Sequence, residues 1–327
     1  MAQHNVLVTA RAFYTFPEAT APLAGLDVAL RRAGRFGPLA EAELIEALRG
    51  CGAVIASSDP YTERVFAACP DLRVVARAGV GVDAVDLGAA TRHGVVVTIT
   101  PGPIAETVAD YAFALLLASA RRVPEAAEAL RRDGWAREFL GGDVYGRCLG
   151  VVGMGAIGSG VARRARGFSM RVLGYDPALS PPQITERGAE PVPLDRLLAE
   201  ADFVTLHASL SAGSRHLLGA RELAAMKPSA YLINTARGGL LDSAALVQAL
   251  KAGHLAGAAL DAYEDEPLPA DDPLRRAPRC LLTPHVAFST RATTLDMARR
   301  AAAAVADVLS GRRPTGATVV NPEVFAR

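Results

Sequence analysis

The amino-acid sequence predicts an α/β protein built on parallel sheets, and three observations carry that expectation. Short apolar runs alternate with helical stretches along most of the chain. One run, Leu149-Gly150-Val151-Val152, feeds the turn Gly153-Met154-Gly155-Ala156-Ile157-Gly158, after which Ile157, Val161, Ala162 and Ala165 recur at helical spacing. A later run over 171–175 ends in Asp176, eighteen residues after Gly158.

The first third of the chain alternates regularly. Residues 5–9 read as a strand and 41–49 as an amphipathic helix with Leu44, Ile45 and Leu48 on one side. A strand over 53–56, a helix over 62–69, a strand over 73–77, a helix over 86–93 and a strand over 95–98 follow. Thr100-Pro101-Gly102-Pro103 breaks this pattern and is a candidate hinge. A long helix is expected over 106–122, with Val108, Tyr111, Ala112, Leu115 and Leu116 forming a broad apolar face, and another over 124–132. Both are apolar enough to pack either on their own domain or on a second subunit.

After the glycine turn the alternation resumes, with strands over 203–207, 230–235, 257–261 and 280–283 and a helix over 243–251 carrying Leu246, Val247 and Leu250. With 149–152 and 171–175 these make six strands, the count of two mononucleotide-binding halves. The expectation is a Rossmann-type doubly wound parallel sheet over 102–287, plus a smaller flavodoxin-like α/β domain for substrate. A last helix over 291–309 returns to the smaller domain, which then comprises 1–101 and 288–327 and is discontinuous in sequence.

The turn itself has a physical reading. Gly153 permits the bend, Gly155 leaves room for a pyrophosphate to reach the backbone, and Gly158 lets helix and strand pack closely. The helix start, at Ala156 and Ile157, presents unpaired N–H groups to phosphate. Asp176 stands where a carboxylate accepts hydrogen bonds from the adenosine ribose and would repel a 2′-phosphate, which favours NAD over NADP.

Composition limits the alternatives. The chain has 327 residues, half of them hydrophobic, and a net charge of +1. No Lys/Arg-rich run supports nucleic-acid binding. The first ten residues look like a first strand and not a signal peptide. The longest apolar run, over 111–120, is too short to span a bilayer, so no membrane is expected. Cys51, Cys69, Cys148 and Cys280 are scattered without a CxxC pair, which suits buried thiols in the cytoplasm. No metal-ligand cluster is evident.

Three polar residues fall just past strand ends, where ligands of such sheets bind: Arg237, Glu266 and His285. Singly, each has an ordinary structural use, in a salt bridge, an acidic turn or a capped loop. Jointly, at successive strand ends behind a dinucleotide turn, they suit hydride transfer to a 2-oxo acid. A histidine can deliver a proton to the carbonyl oxygen, and a neighbouring carboxylate stabilises its imidazolium. An arginine fork can hold the substrate carboxylate.

Six segments then carry a family resemblance: ARAGVGVDAVD from Ala76, ETVADYAFALLLA from Glu106, LGVVGMGAIGSG from Leu149, LINTARGGLLD from Leu232, AALDAYEDEP from Ala258 and LLTPHVAFST from Leu281. The chain resembles the D-2-hydroxyacid dehydrogenase family, phosphoglycerate dehydrogenase among its members. The resemblance implies that Arg237 binds and polarises substrate and that Glu266 pairs with His285, the acid/base. It implies that Asp261 lies near the nicotinamide carboxamide, that His207, Ala208, Thr235 and Ala236 lie along the cofactor, and that Val80 and Gly81 offer backbone to the substrate carboxylate. It also implies two lobes closing over a cleft and a homodimer formed through the cofactor domains.

The departures bear on substrate. Where phosphoglycerate dehydrogenases usually carry a phosphate-facing Arg this chain has Ser57, the usual Asn after Asp83 is Ala84, the usual Asn near Ile104 is missing, and Phe288 replaces a small residue. Ser57 and Phe288 point to a small 2-oxo or 2-hydroxy acid with an uncharged side chain. Phosphoglycerate dehydrogenase proper, an NAD-sensing corepressor-like binding protein, and a relative acting on formate or phosphite remain alternatives.

Overall fold

The runs read as strands do pair, each of them in parallel with a neighbour. A computed structural model describes residues 3–34, 38–135 and 137–326. The chain forms two units, Met1–Ile104 with Ser289–Arg327, and Ala105–Phe288.

The first unit holds β1 (His4–Val8), β2 (Val28–Arg32), β3 (Ala53–Ala56), β4 (Val74–Arg77) and β5 (Val96–Ile99). They lie in the order β5-β4-β3-β1-β2, all parallel, with the short strand Thr318–Val319 antiparallel outside β5. The first five follow the flavodoxin-like order. Every residue of β3 and β4 is buried, as a sheet covered on both faces requires. Thr62 and Asp86 cap the helices Glu63–Ala68 and Leu87–Arg92 by accepting the Val65 and Ala89 N–H groups. The C-terminal helix Arg291–Leu309 buries Ala298, Ala301, Ala302 and Val305 in one cluster with Val6, Ile55 and Val74. Its small residues let it lie close to the sheet. Asn321 then ties the chain end to β5, accepting the Val97 N–H (2.8 Å) and donating to the Val95 carbonyl (2.9 Å).

The second unit holds β6 (Cys148–Val152), β7 (Arg171–Tyr175), β8 (Glu190–Pro191), β9 (Phe203–Leu206), β10 (Tyr231–Asn234), β11 (Gly257–Leu260) and β12 (Cys280–Leu282). The order is β12-β11-β10-β9-β6-β7-β8, parallel throughout. This is a doubly wound Rossmann sheet of seven strands, one more than the six expected. The missed strand, β8, is two residues long and has no apolar pattern to betray it. On one face Ala109, Ala112, Phe113 and Leu116 of the helix Ile104–Ala120 pack with Val161 and Ala162 of the helix Ala156–Ala165. The other face buries Leu197, Leu223, Leu246 and Leu250. The strand order reverses between β6 and β9, where Val152 pairs with both Tyr175 and Leu206. Three strand ends are therefore level at the switch point, the place where open α/β sheets bind ligands. Among the described residues no helix is long and apolar enough to cross a membrane.

Candidate active site

The glycine turn follows β6 directly. Gly153 has φ +92°, and a Cβ there would sit 2.4 Å from the Ala208 nitrogen. A Cβ on Gly158 would sit 2.0 Å from the Gly153 carbonyl oxygen. Both positions therefore exclude a side chain by contact with backbone. Gly155 differs, because a Cβ there meets nothing within 4 Å. Its missing side chain opens space without serving packing, and it stands immediately before the helix that begins at Ala156 and Ile157. Asp176 follows β7, where its carboxylate accepts the Met154 N–H (2.9 Å) and the Ala178 N–H (3.0 Å). The carboxylate is thereby held against the turn with lone pairs to spare for hydroxyl groups.

On the other side of the switch point, the His207 N–H donates to the Val152 carbonyl (2.7 Å), which sets His207 and Ala208 against the turn. Thr205 Oγ1 lies 2.8 Å from His207 Nε2, while His207 Nδ1 is buried without an acceptor or donor among the described residues. Burial pushes the His207 pKa down to about 3, so the ring is neutral. Thr235 Oγ1, past the end of β10, is also buried without a partner among the described residues. An open cradle at Gly155 and two orphaned polar atoms on adjoining strand ends fit a dinucleotide: phosphate at the turn, ribose at Asp176, polar groups toward His207 and Thr235.

Three loops carry the residues expected to do chemistry. After β10, buried Asn234 folds the chain back by accepting the Ala236 N–H (3.0 Å) and donating to the Arg237 carbonyl (2.9 Å). Arg237 Nη1 donates to the Ala236 carbonyl (2.8 Å). A Cβ on the next residue, Gly238, would lie 1.8 Å from the Tyr263 carbonyl carbon, so the arginine loop rests directly on the Tyr263-Glu264 peptide. After β11, the Tyr263 N–H donates to Glu266 Oε1 (3.0 Å), and the Tyr263 hydroxyl donates to the Thr283 carbonyl (2.8 Å). After β12, His285 Nδ1 lies 2.6 Å from Glu266 Oε2.

His285 has φ +53°, a left-handed conformation that few non-glycine residues adopt. What holds it there is Asp261, 1% exposed, whose carboxylate accepts Thr283 Oγ1–H (2.6 Å), Val286 N–H (3.0 Å) and Ala287 N–H (2.8 Å). The resemblance placed Asp261 by the cofactor; the structure shows it bracing the histidine loop from both sides. Phe288 meets the His285 ring edge-on, with centroids 6.4 Å apart and an interplanar angle of 71°.

The electrostatics reflect this geometry. The hydrogen bond to Glu266 raises the His285 pKa, with burial and the Arg237 charge opposing and the Glu266 and Asp261 charges assisting. Burial pulls the Glu266 carboxyl up, but bonds from His285 and the Tyr263 N–H, with the charges of His285 and Arg237, leave it below its ordinary value. Each partner of the pair thus favours the charged form of the other.

In the first unit, the Ser57 N–H donates to Thr9 Oγ1 (2.9 Å), and that hydroxyl donates to the fully buried Asp59 (2.5 Å). Arg77 Nε donates to the Gly81 carbonyl (2.9 Å), and the Thr100 N–H to the Gly79 carbonyl (2.9 Å). No acceptor among the described residues meets the N–H of Val80 or Gly81. Ser57, Val80 and Gly81 belong to this unit, whereas Arg237, Glu266, His285 and Phe288 belong to the other. Among the described residues no group of three or more His, Cys, Asp or Glu side chains could hold a metal.

Sequence reasoning passed over Asn234, Tyr263 and Thr283, which hold the three loops. All three sit inside quoted motifs, but nothing in spacing says which polar group a buried side chain meets.

A nucleotide turn and a histidine–carboxylate pair on the same carboxyl edge of one parallel sheet define the class as a nicotinamide-dependent oxidoreductase. Comparison with known proteins narrows it. The family model described as D-isomer specific 2-hydroxyacid dehydrogenase, NAD binding domain, matches residues 113–287. A glyoxylate reductase from Korarchaeum cryptofilum is 45% identical over 293 residues, covering 88% of each chain. A D-3-phosphoglycerate dehydrogenase from Synechocystis is 40% identical over 275 residues, 84% of this chain but only 50% of that protein. The crystal structure of the TT0316 protein from Thermus thermophilus, 41% identical, superposes with a TM-score of 0.83 over 96% of this chain and 100% of that one. The chain belongs to the D-isomer-specific 2-hydroxyacid dehydrogenase family, and its cofactor is NAD.

Proposed function

We propose that the protein interconverts a small 2-oxo acid with an uncharged side chain and its D-2-hydroxy acid, glyoxylate being the first candidate. The observation that carries this is the His285–Glu266 contact of 2.6 Å at strand ends on the same carboxyl edge of the sheet as the dinucleotide turn. When bound, NAD(H) supplies hydride-transfer chemistry at the substrate's C2. His285 supplies the matching proton. Its Nδ1 is committed to Glu266, so Nε2 gives the proton to the carbonyl oxygen in reduction and takes it from the hydroxyl in oxidation. Glu266 favours the imidazolium, and Arg237 holds the carboxylate and polarises the carbonyl.

The same reading assigns Gly153, Gly155, Ala156, Ile157 and Gly158 to the pyrophosphate and Asp176 to the ribose. His207, Ala208, Thr235, Ala236 and Asp261 flank the nicotinamide half, with Arg237 and His285 beside them. It assigns the N–H groups of Val80 and Gly81 to the substrate carboxylate, Ser57 to the substrate's side chain, and Phe288 to limiting substrate size. Residues 102–287 are then the NAD domain, and 1–101 with 288–327 the substrate domain. An uncharged Ser57 and an aromatic Phe288 suit glyoxylate better than a phosphorylated acid, as does 45% identity to a glyoxylate reductase.

The test is a panel of glyoxylate, hydroxypyruvate, pyruvate and phosphohydroxypyruvate with NADH and NADPH. A small uncharged acid with NADH should give the highest kcat/KM. Preference for phosphohydroxypyruvate, or no turnover of any acid, overturns the reading.

The proposal includes a homodimer through the cofactor domain. Among the described residues, five of the six large apolar side chains left exposed, Val123, Leu130, Trp135, Leu140 and Tyr145, fall in one stretch of the second unit; Leu30 is the sixth. Light scattering after gel filtration should report twice the chain mass; a monomer at micromolar concentration argues against it. Four free cysteines support a cytoplasmic setting.

A further inference from the structure

The three catalytic loops meet a fourth. After β9 the chain runs through Arg215 and His216 before reaching the helix Ala220–Ala225. This segment lies alongside the arginine loop: the His216 N–H donates to the Gly239 carbonyl (2.8 Å), the Leu218 N–H to the Leu240 carbonyl (3.0 Å), and Leu218 forms a parallel bridge with Leu241. Its side chains reach past that loop to Glu264. Arg215 Nη2 donates to Glu264 Oε2 (3.1 Å), and His216 Nε2 lies 2.8 Å from Glu264 Oε1. His216 does this from a left-handed backbone, φ +50°, a conformation it shares with His285. Such residues cluster at functional sites.

The peptide that Glu264 belongs to is the surface on which Gly238 rests. The Tyr263 side of it holds Glu266 through its N–H and the histidine loop through its hydroxyl. One dipeptide therefore touches the arginine, glutamate and histidine loops, and the Arg215–His216 grip keeps it pressed against the first.

We infer that Glu264, gripped by Arg215 and His216, is a positioning residue that holds Arg237 in register with the Glu266–His285 pair. This rests on the proposed 2-oxo acid reductase activity. These contacts are exposed, 59% for the Arg215 side chain and 41% for that of His216, and exposed contacts of this kind add little to overall stability. Their effect is on placement, and a displacement of about 1 Å at a reacting group can cost about a hundredfold in rate.

The test uses full-length Glu264→Gln and His216→Asn; Asn tolerates the left-handed backbone while ending the grip. For glyoxylate reduction, KM should rise about tenfold with Glu264→Gln, because the group that holds the carboxylate has shifted. The NADH dissociation constant and Tm should stay at wild-type values. Combined with Arg237→Lys, Glu264→Gln should add almost nothing, since both act through one side chain. Amide exchange at Leu240 and Leu241 should quicken.

Wild-type KM and kcat in both single variants overturn the inference, as does full additivity with Arg237→Lys. If the wild-type chain reduces no 2-oxo acid, the functional reading has failed instead, and unchanged exchange at Leu240 and Leu241 in Glu264→Gln still decides against the grip.

Discussion

Replacing Glu266 by Gln removes one charge and almost no volume, and the hydrogen-bond geometry sets the consequences. Each carboxylate oxygen has its own donor: Oε1 takes the Tyr263 N–H and Oε2 takes His285 Nδ1–H. Glutamine offers one oxygen and one NH2 group. If its oxygen stays with Tyr263, the NH2 faces Nδ1, which must then accept; that tautomer resists a second proton. If the amide flips, the Tyr263 N–H faces another donor, at a cost of about 1–3 kcal/mol. A hydrogen bond to a charged group is worth about 1.5–3 kcal/mol, and with the His285 and Glu266 side chains 37% and 34% exposed, solvent screening reduces this to about 1–2 kcal/mol. At about 1.4 kcal/mol per decade, reduction should slow roughly five- to thirtyfold. The pH dependence is the sharper signature. Glu266 is the main reason that the His285 pKa is raised, so without it the imidazolium deprotonates at lower pH. The alkaline limb of reduction should move to lower pH, and oxidation, which needs the neutral ring, should persist further into acid. Initial rates of NADH oxidation and NAD reduction across pH measure both limbs. A variant with wild-type limbs and wild-type kcat would refute the pairing as what keeps His285 protonated.

Substitutions in the glycine turn and at the two aspartates have equally definite outcomes. Gly158→Ala must separate turn and helix, since its Cβ would sit 2.0 Å from the Gly153 oxygen; strain of about 1–3 kcal/mol should lower Tm and weaken NADH binding. Gly155→Ala meets nothing within 4 Å and should leave Tm alone while weakening NADH binding, so equal affinity in fluorescence titration would remove the turn from the cofactor site. Asp176→Ser should narrow the ratio of kcat/KM for NADH over NADPH; an unchanged ratio means that Asp176 does not read the ribose. Asp261→Asn leaves one oxygen for the Val286 and Ala287 N–H groups that now have one each, a loss of about 1–3 kcal/mol, visible as a lower Tm and a lower kcat.

The parts of this molecule legible in the sequence are those that obey a short-range rule. The strands β3, β4 and β7 show as apolar runs because parallel sheets bury both faces, and Ser243–Lys251 and Arg291–Leu309 show as helices through their periodicity. Arg237, Glu266 and His285 are visible because strand ends point at the ligand edge. What escaped lacks such a rule. β2, Val-Ala-Leu-Arg-Arg, is an edge strand with its last three residues exposed, and Glu190–Pro191 has two residues and no pattern. Nor could spacing reveal that Asp59 holds Thr9, or that Glu264, one charge among several in an acidic turn, is held by Arg215 and His216. Buried polar partners are chosen by the finished fold, across separations of about fifty residues in both cases.

Four braces of the arginine, glutamate and histidine loops share one property. Asn234, Asp261, Tyr263 and Thr283 lie on the same stretch of chain as the groups they hold, between Asn234 and Ala287. One segment of chain therefore carries the groups proposed to move a proton together with these supports. A substitution in a loop elsewhere, such as those at Ser57 and Val80, removes none of these hydrogen bonds.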